Sequence, residues 1–258
     1  MEPVIVRGLS IGTGRPKIIV PVLGETLEQL LAEAEQVKSV PADLAEWRLD
    51  WYGDVENTAK LLAAAKALRE TLGELPILAT FRTAKEGGHR PVTDESYARM
   101  IRTLAESGLV DLMDIEAFTG DELVGELVDF CHRQGVKVVL SNHDFDKTPP
   151  EKELVARLQK MEALGADLSK IAVMPRSPED VLTLLSATRA RSRVSARPVV
   201  TMSMGALGAV SRLAGEVFGS ALTFGSAARA SAPGQVEAGK LARVLELLAI
   251  HTAENENA

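Results

Sequence analysis

Short apolar, β-branched runs alternate with longer amphipathic stretches along nearly the whole chain, and the cycle repeats eight times from residue 17 onward. The short runs predict eight strands, at Lys17–Val22, Glu46–Trp51, Ile77–Arg82, Leu112–Ala117, Val136–His143, Leu168–Met174, Val199–Met204 and Ala221–Phe224. The longer stretches carry apolar residues at three- and four-residue spacing, which predicts helices near 26–38, 55–72, 94–107, 121–134, 151–164, 178–191, 209–218 and 235–250. Three of these helices are preceded by a capping residue and an acidic first turn, at Thr93, Thr148 and Ser177.

Strict alternation of strands and helices implies a parallel sheet, and eight repeats favour closure into a barrel over an open sheet. The length of 258 residues matches the roughly 250 residues that are typical of such barrels. We therefore predict an α/β protein with a (β/α)8 TIM barrel fold and a single catalytic domain over 1–258. Residues 1–16 should form a short N-terminal cap on the barrel bottom, and residues 251–258 a flexible tail.

The charge and the cysteine count restrict the partners and the compartment. A net charge of −7 argues against general binding to nucleic acid or to an anionic membrane, and no run approaches the length of a membrane helix. Cys131 is the only cysteine, which excludes an intrachain disulfide and favours the cytoplasm. The four histidines lack metal-ligand spacing, so we expect no metal. A small polar substrate fits these properties better.

The alternation of residues within each strand separates the face that helices cover from the face that points at the barrel axis. In the second strand the apolar set is every other residue from Trp47 to Trp51, so Glu46, Arg48 and Asp50 point inward. The same sorting turns further polar residues inward: Thr80, Arg82, Asp114, Glu116, Ser141, His143 and Lys170. One such charge could be half of a structural ion pair, but charges of both signs from five strands predict a polar pocket at the carboxyl-terminal face.

Lys170 is the candidate nucleophile of this pocket. It precedes the apolar run Ile171–Met174, and burial beside Arg48 and Arg82 would favour the neutral amine that attacks ketones. The alternative is a surface lysine that reaches solvent along its aliphatic stem.

His143 ends a strand at the mouth, where barrel enzymes carry catalytic groups, although a lone histidine often serves only as a structural hydrogen-bonding group. Glu86 lies in a loop beside Gly87 and Gly88, which let the backbone approach a ligand. On its own, such a glutamate is usually a solvated surface residue.

Six segments resemble those of the type I 3-dehydroquinate dehydratases, the dehydroquinases that form a Schiff base, and the resemblance extends over nearly the whole chain. The segments are Glu46-Trp-Arg-Leu-Asp, Thr80-Phe-Arg-Thr-Ala-Lys-Glu-Gly-Gly, Ser141-Asn-His-Asp-Phe, Lys170-Ile-Ala-Val-Met-Pro, Ser203-Met-Gly and Ser231-Ala-Pro-Gly-Gln. Each segment alone is weak. Six in the right order on the right strands are specific, and they include the residues that strand alternation turns inward.

The resemblance implies a role for each matching residue. Lys170 resembles the Schiff-base lysine, His143 the proton-transfer residue and Glu86 its carboxylate partner. Glu46, Arg48 and Arg82 resemble ligands of the substrate hydroxyls, Arg212 the guanidinium that holds the substrate carboxylate, and Ser231 and Gln235 the residues that close over the ring. Pro21 departs from the serine of some relatives, so one hydrogen bond to the substrate would be absent or supplied elsewhere.

The resemblance also implies the reaction, which is the syn elimination of water from 3-dehydroquinate to give 3-dehydroshikimate. This is the third step of the shikimate pathway of aromatic amino acid biosynthesis. It needs no cofactor, and the family favours a homodimer. We further expect residues 226–235, which are rich in small side chains, to form a mobile lid over the mouth.

Two other functions compete with this interpretation. A class I aldolase shares the barrel and the lysine iminium, but it usually acts on a phosphosugar and would need a phosphate cradle, for which Gly205-Ala-Leu-Gly-Ala-Val is the candidate. A non-catalytic barrel that binds a sugar acid would bind without turnover, and it has no need for a lysine and a histidine in one pocket.

Overall fold

The computed structural model describes the backbone of residues 1–227 and 231–255, and the side chains of these ranges up to residue 249. Its strands are β1 (Val4–Val6), β2 (Leu9–Ile11), β3 (Lys17–Val22), β4 (Leu44–Arg48), β5 (Ile77–Thr80), β6 (Leu112–Glu116), β7 (Lys137–Asp144), β8 (Leu168–Val173), β9 (Val199–Ser203), β10 (Leu222–Ser226) and β11 (Val236–Glu237). Its helices are α1 (Leu27–Lys38), α2 (Thr58–Leu72), α3 (Asp94–Ser107), α4 (Asp121–Arg133), α5 (Glu151–Ala163), α6 (Pro178–Ser192), α7 (Ala209–Leu213), α8 (Gly215–Phe218) and α9 (Ala238–Asn255), with a short 3₁₀ helix at Ala84–Glu86.

Strands β3 to β10 form the predicted (β/α)8 TIM barrel. Each pairs in parallel with the next from β3 to β9, and β10 pairs in parallel with β3. Ala221 joins the two ends of this sheet, since its N–H donates to the carbonyl of Val199 at 2.8 Å and its carbonyl accepts from the N–H of Lys17 at 3.0 Å. The short β11 adds to β10 outside this ring.

The apolar residues divide into two buried clusters, which confirms the sorting by strand alternation. The outer cluster lies between strands and helices and includes Trp47 and Leu49. The inner cluster lies within the barrel and includes Leu44, Leu112 and Leu168, near the amino-terminal ends of their strands. Apolar side chains thus fill the bottom of the barrel, and its carboxyl-terminal half is left for polar groups.

An antiparallel hairpin of β1 and β2 forms the predicted cap on the barrel bottom. Its two-residue turn has positive φ at both Arg7 (45°) and Gly8 (80°), as a tight hairpin requires. Val4 and Ile11 belong to the inner cluster, and the Arg7 guanidinium lies 2.6 Å from the carboxylate of Asp111, just before β6. The hairpin therefore closes the end of the barrel opposite the strand carboxyl termini.

Several predicted boundaries were wrong by a few residues. Strand β4 ends at Arg48 instead of Trp51, because the chain turns there and the Trp51 N–H donates to the Arg48 carbonyl at 3.2 Å. The helix expected at 209–218 is divided at Ala214, whose φ and ψ of −99° and 17° leave the helical range. The last helix continues to Asn255 and so includes the start of the segment 251–258 that was expected to be a tail.

The helix starts agree with the predictions only in part. Thr93 caps α3, and its hydroxyl accepts from the Ser96 N–H at 3.2 Å. Thr148 does not cap α5, because Pro150 occupies the N-cap and the Thr148 hydroxyl donates to a carbonyl at Met174. Within the described part of the chain, none of the helices has the length and apolar content needed to span a bilayer.

Candidate active site

A polar pocket opens at the carboxyl-terminal ends of the barrel strands and has a volume of about 490 Å³, including its opening to solvent. All nine residues singled out from the sequence line it: Glu46, Arg48, Arg82, Glu86, His143, Lys170, Arg212, Ser231 and Gln235. Apolar side chains complete the wall, among them Phe145, Met202, Met204 and Phe224. The pocket therefore offers charged groups of both signs next to an apolar surface, which suits a small polar ligand with a carbon ring.

The Lys170 amine is buried, and its charged contacts are carboxylates. Nζ donates to Oδ2 of Asp114 at 3.3 Å, lies 3.9 Å from Oε1 of Glu46, and sits 4.7 Å from the centroid of the Phe224 ring. Of the two cations expected beside Lys170, Arg82 shares the Asp114 carboxylate with it, whereas Arg48 turns its Nε and an NH2 nitrogen to Asp50, both at 2.8 Å. Strand alternation gives the face of a residue but not its depth, which the stagger of the barrel sets.

Arg82 organises the floor of the pocket beneath Lys170. Its guanidinium donates to Asp114 at 2.8 Å, to Glu116 at 2.9 Å and to the Ser141 hydroxyl at 3.0 Å. Burial alone would lower the pKa of Arg82, but Asp114 and Glu116 outweigh burial and raise that pKa. Burial likewise acts to raise the pKa of Asp114, and Arg82 with Lys170 lowers it overall. Arg82 and Asp114 thus stabilise each other in the charged form at the floor of the pocket.

The loop after β5 folds back on itself and brings Glu86 into the pocket. The Gly88 N–H donates to the Thr83 carbonyl at 2.8 Å, and a Cβ at Gly88 would lie only 1.9 Å from the carbonyl oxygen of Arg82. The Asp50 carboxylate fastens the far side of this loop by accepting from the His89 N–H at 2.9 Å. A glycine is therefore required at position 88 for the loop to close around Glu86.

Glu86 and His143 form a hydrogen-bonded pair. Oε2 of Glu86 lies 3.0 Å from Nδ1 of His143 and accepts from the His143 backbone N–H at 2.9 Å, while Oε1 accepts from the Asn142 amide at 3.0 Å. Burial raises the pKa of Glu86 to about 7 against the opposing effect of Arg82. Burial first, and then Arg82 and Lys170, lower the pKa of His143 well below its ordinary value.

The state of His143 follows from these contacts. A lowered pKa makes the imidazole neutral, and above about pH 7, where Glu86 is ionised, its carboxylate favours the tautomer with the ring proton on Nδ1. Nε2 then keeps its lone pair. His143 is therefore arranged to accept a proton from a group in the pocket.

Arg212 is a buried cation without a carboxylate partner among the described residues. Its NH2 nitrogen donates to the Pro233 carbonyl at 3.3 Å, and its NH1 nitrogen lies 3.8 Å from the sulfur of Met202. Burial lowers the pKa of Arg212 to about 10. A guanidinium in this position is prepared to bind an anion, and a carboxylate fits its planar pair of donors.

Ser231 and Gln235 join the late segment to the pocket. The Gln235 amide donates to the Ser231 hydroxyl and accepts from the Ser231 N–H, both at 2.8 Å, and the Ser231 carbonyl lies 3.5 Å from an Arg48 nitrogen. The expected lid at 226–235 includes residues 228–230, which lie outside the described part of the chain. Gln235 therefore holds Ser231 at the mouth of the pocket through two hydrogen bonds.

Four residues shape the site without having been assigned a role from the sequence. Asp50, Asp114 and Glu116 were expected to point inward, and strand alternation was the signal for them. Asn142 lies between the inward residues Ser141 and His143, so strand alternation predicts that it points outward. No feature of the sequence indicated its contact with Glu86. No group of three or more His, Cys, Asp or Glu side chains suited to a metal occurs in the ranges that the structure describes.

The comparisons with known proteins agree with this architecture. The family model of the type I 3-dehydroquinases matches residues 18–252. The 3-dehydroquinate dehydratase of Listeria welshimeri is 53% identical over 248 residues, which covers 96% of this chain and 98% of the relative. That of an Escherichia coli strain is 51% identical over 249 residues, covering 96% and 99%.

Among solved structures, the type I 3-dehydroquinate dehydratase of Clostridium difficile is similar with a TM-score of 0.95 and 45% identity, and 97% of this chain and 100% of that one are covered. The fold and site thus define a barrel enzyme of the hydro-lyase class. The chain belongs to the type I 3-dehydroquinase family, whose relatives here are 3-dehydroquinate dehydratases. A likeness to 3-hexulose-6-phosphate synthase, at 16% identity and a TM-score of 0.58, shows only a shared fold.

Proposed function

We propose that the protein removes water from 3-dehydroquinate by syn elimination through a Schiff base on Lys170, giving 3-dehydroshikimate in the third step of the shikimate pathway. One observation carries this proposal. A buried lysine amine, a histidine paired with Glu86 through Nδ1, and a buried arginine that has no carboxylate partner among the described residues line the same pocket. These groups match the ketone, the adjacent C–H and the carboxylate of the substrate.

Substrate binding begins with charge pairing. The carboxylate of 3-dehydroquinate pairs with the Arg212 guanidinium, which supplies the counter-ion that Arg212 otherwise lacks. Glu46, Arg48 and Arg82 hold the ring hydroxyls, and Ser231 with Gln235 exchange their mutual hydrogen bonds for contacts to the ring. Pro21 leaves one contact of some relatives to be supplied elsewhere.

The Lys170 amine must lose a proton before it attacks. Asp114 and Glu46 are the nearest carboxylates, and their oxygens lie 3.3 and 3.9 Å from Nζ. The neutral amine adds to the C3 carbonyl to give a carbinolamine, and loss of water from this adduct gives the iminium. The positive charge of the iminium acidifies the neighbouring C2–H, so that a base of moderate strength suffices to remove it.

His143 then serves as the base and as the acid. Nε2 removes the C2 proton and the electron pair of that C–H bond forms the enamine. The enamine expels the C1 hydroxyl, which takes a proton from the imidazolium and leaves as water. Glu86 stabilises the imidazolium through Nδ1. Hydrolysis of the remaining iminium releases 3-dehydroshikimate and restores the Lys170 amine.

One comparison and the contacts in the pocket support this scheme over the alternatives. The similar Clostridium difficile structure is described as containing covalently modified comenic acid, which is consistent with covalent chemistry in that enzyme. No observation favours a phosphosugar aldolase, and a non-catalytic barrel would have no use for the Glu86–His143 pair. We also propose that the enzyme acts as a homodimer in the cytoplasm, and light scattering at the assay concentration tests the dimer.

Reduction with borohydride in the presence of 3-dehydroquinate or 3-dehydroshikimate tests the Schiff base. We expect inactivation and a reduced adduct that peptide mass mapping assigns to Lys170. Lys137 is a matched control within the same barrel, since it lies at the amino-terminal start of β7 and pairs with Asp167 at 3.3 Å. An adduct on Lys137 or Lys147, or no adduct at all, would overturn the assignment.

A further inference from the structure

Asn142 connects the Glu86–His143 pair to a helix on the outside of the barrel. It is buried on β7 beside His143, and its amide nitrogen donates to Oε1 of Glu86 at 3.0 Å. Its amide oxygen accepts from NH1 of Arg157 at 2.7 Å. Arg157 belongs to α5, so a residue outside the pocket reaches the catalytic pair through one side chain.

The Arg157 guanidinium is itself held in one position. It pairs with Glu153 one turn earlier on α5 and lies 3.9 Å from the Asp144 carboxylate. Its guanidinium lies over the Phe118 ring, with 5.8 Å between the guanidinium carbon and the ring centroid. These contacts fix the direction from which Arg157 approaches Asn142.

The chemistry of the two groups then determines which end of the amide faces Glu86. An amide has an oxygen that only accepts and a nitrogen that only donates, and a guanidinium has only donors. Arg157 must therefore face the oxygen of Asn142, and the nitrogen must face Glu86. Without Arg157, the amide could turn over and present its oxygen to Glu86, where it would favour the protonated acid.

We propose that Arg157 and Asn142 are positioning residues that keep Glu86 in the ionised form that orients His143. The inference rests on the proposed dehydration. It states that Arg157, which lies outside the pocket, influences proton transfer by His143. Neither residue needs to touch the substrate. They act on the protonation state of the Glu86–His143 pair, which a merely structural contact would leave unchanged.

Other charged groups also act on this pair, and all of them remain when Arg157 is changed. Arg82 lies 3.4 Å from Glu86 and lowers its pKa, whereas burial, Glu116 and Asp114 raise it. Arg82, Lys170 and Arg48 act together on His143. The Asn142 hydrogen bond lowers the pKa of Glu86, which is the sign that the proposal requires.

The matched pair Arg157→Met and Lys160→Met tests the proposal. Both changes remove one positive charge from α5 and one cation from the Phe118 ring, but the Lys160 amine pairs with Asp121, whereas the Arg157 guanidinium donates to Asn142. We expect Arg157→Met to move the acidic limb of the pH profile of kcat/KM to higher pH by about one unit, as loss of a hydrogen bond to a charged group implies. Lys160→Met should keep the original profile.

Two further variants complete the set. Arg157→Lys keeps a donor for the Asn142 oxygen and should restore most of the original profile. Asn142→Ala removes the donor to Glu86 outright and should move the acidic limb in the same direction, with borohydride trapping on Lys170 retained. Thermal unfolding identifies any variant that has lost its fold, and Arg157→Met keeps an apolar side chain at that position and so tests the proposal if Asn142→Ala does not fold.

The nitrogen NMR shifts of the His143 ring, followed against pH without substrate, separate this proposal from the proposed function. Identical titrations in the wild type, Arg157→Met and Lys160→Met would overturn the role of Arg157, whatever the activity. Equal displacement of the pH profile in both methionine variants would overturn it as well, because the effect would be one of net charge. A wild-type protein that does not dehydrate 3-dehydroquinate would overturn the proposed function instead.

Discussion

Replacing Arg212 by methionine should impair catalysis and stabilise the fold at the same time. Arg212 is 2% exposed and has no carboxylate partner among the described residues, and burial lowers the pKa of its guanidinium from the ordinary value to about 10. At about 1.4 kcal/mol for each factor of ten in the proton equilibrium, burying this charge costs about 3 kcal/mol. The methionine avoids that penalty and keeps an apolar stem beside Met202.

The catalytic loss follows from the substrate carboxylate, which would lie in the pocket without its counter-ion. Removing one partner of a buried, hydrogen-bonded charge pair costs about 2–5 kcal/mol, so kcat/KM should fall by about 30-fold to 5,000-fold, mainly through KM. The unfolding temperature should rise by about 6–12 °C, since each kcal/mol shifts it by about 2–4 °C in a chain near this size.

Arg191→Met is the matched control, because this buried arginine of α6 lies away from the pocket and has a partner. It pairs with Glu162, which would be left unpaired, so the control should lower the unfolding temperature and leave the kinetics unchanged. Calorimetry and steady-state kinetics on the two variants check both halves. A KM within about threefold of the wild type, or a less stable Arg212→Met, would refute the reasoning that joins the unpaired charge to substrate binding.

Lys170→Ala should lose nearly all turnover and remain folded, as initial rates and circular dichroism will show. His143→Ala should be impaired in proton transfer but still accumulate the adduct, which mass spectrometry of the mixture detects; a normal turnover rate would make His143 structural. In limited trypsin digestion, cleavage after Arg229 within 226–235 should be rapid in the free protein and slow with saturating product, and equal rates would contradict a lid. Cys131, whose thiol pKa burial raises to about 12, should react with a thiol reagent only after unfolding.

Strand alternation was sufficient to predict which side chains enter the barrel, because helices cover the other face of every strand and demand apolar residues there. Trp47 lies in the outer cluster and Lys170 among the pocket residues, as expected. Strand alternation could not predict which inward side chains of different strands contact one another. Lys170 and Arg82 share the Asp114 carboxylate, whereas Arg48 pairs with Asp50, because the stagger between strands decides which inward residues lie at the same level. The sequence of a single strand does not encode this stagger.

Contacts that leave the strand pattern were also beyond the sequence. Strand alternation places Asn142 on the outward face of the barrel. It lies near the end of its strand, however, where its amide contacts Glu86 in the neighbouring loop. The division of the predicted helix 209–218 at Ala214 is similar, because no proline marks the break and the apolar spacing continues through it. Such features depend on packing between distant segments, and local spacing holds no record of them.

The hairpin of β1 and β2 closes the amino-terminal end of the barrel in the part of the chain that the structure describes. Val4 and Ile11 fill that end with apolar side chains, so in the proposed reaction substrate, water and product would all pass through the carboxyl-terminal mouth. A molecule of product that has not yet departed occupies the same passage that the next substrate needs. Product must therefore leave the pocket before the next substrate molecule can enter it.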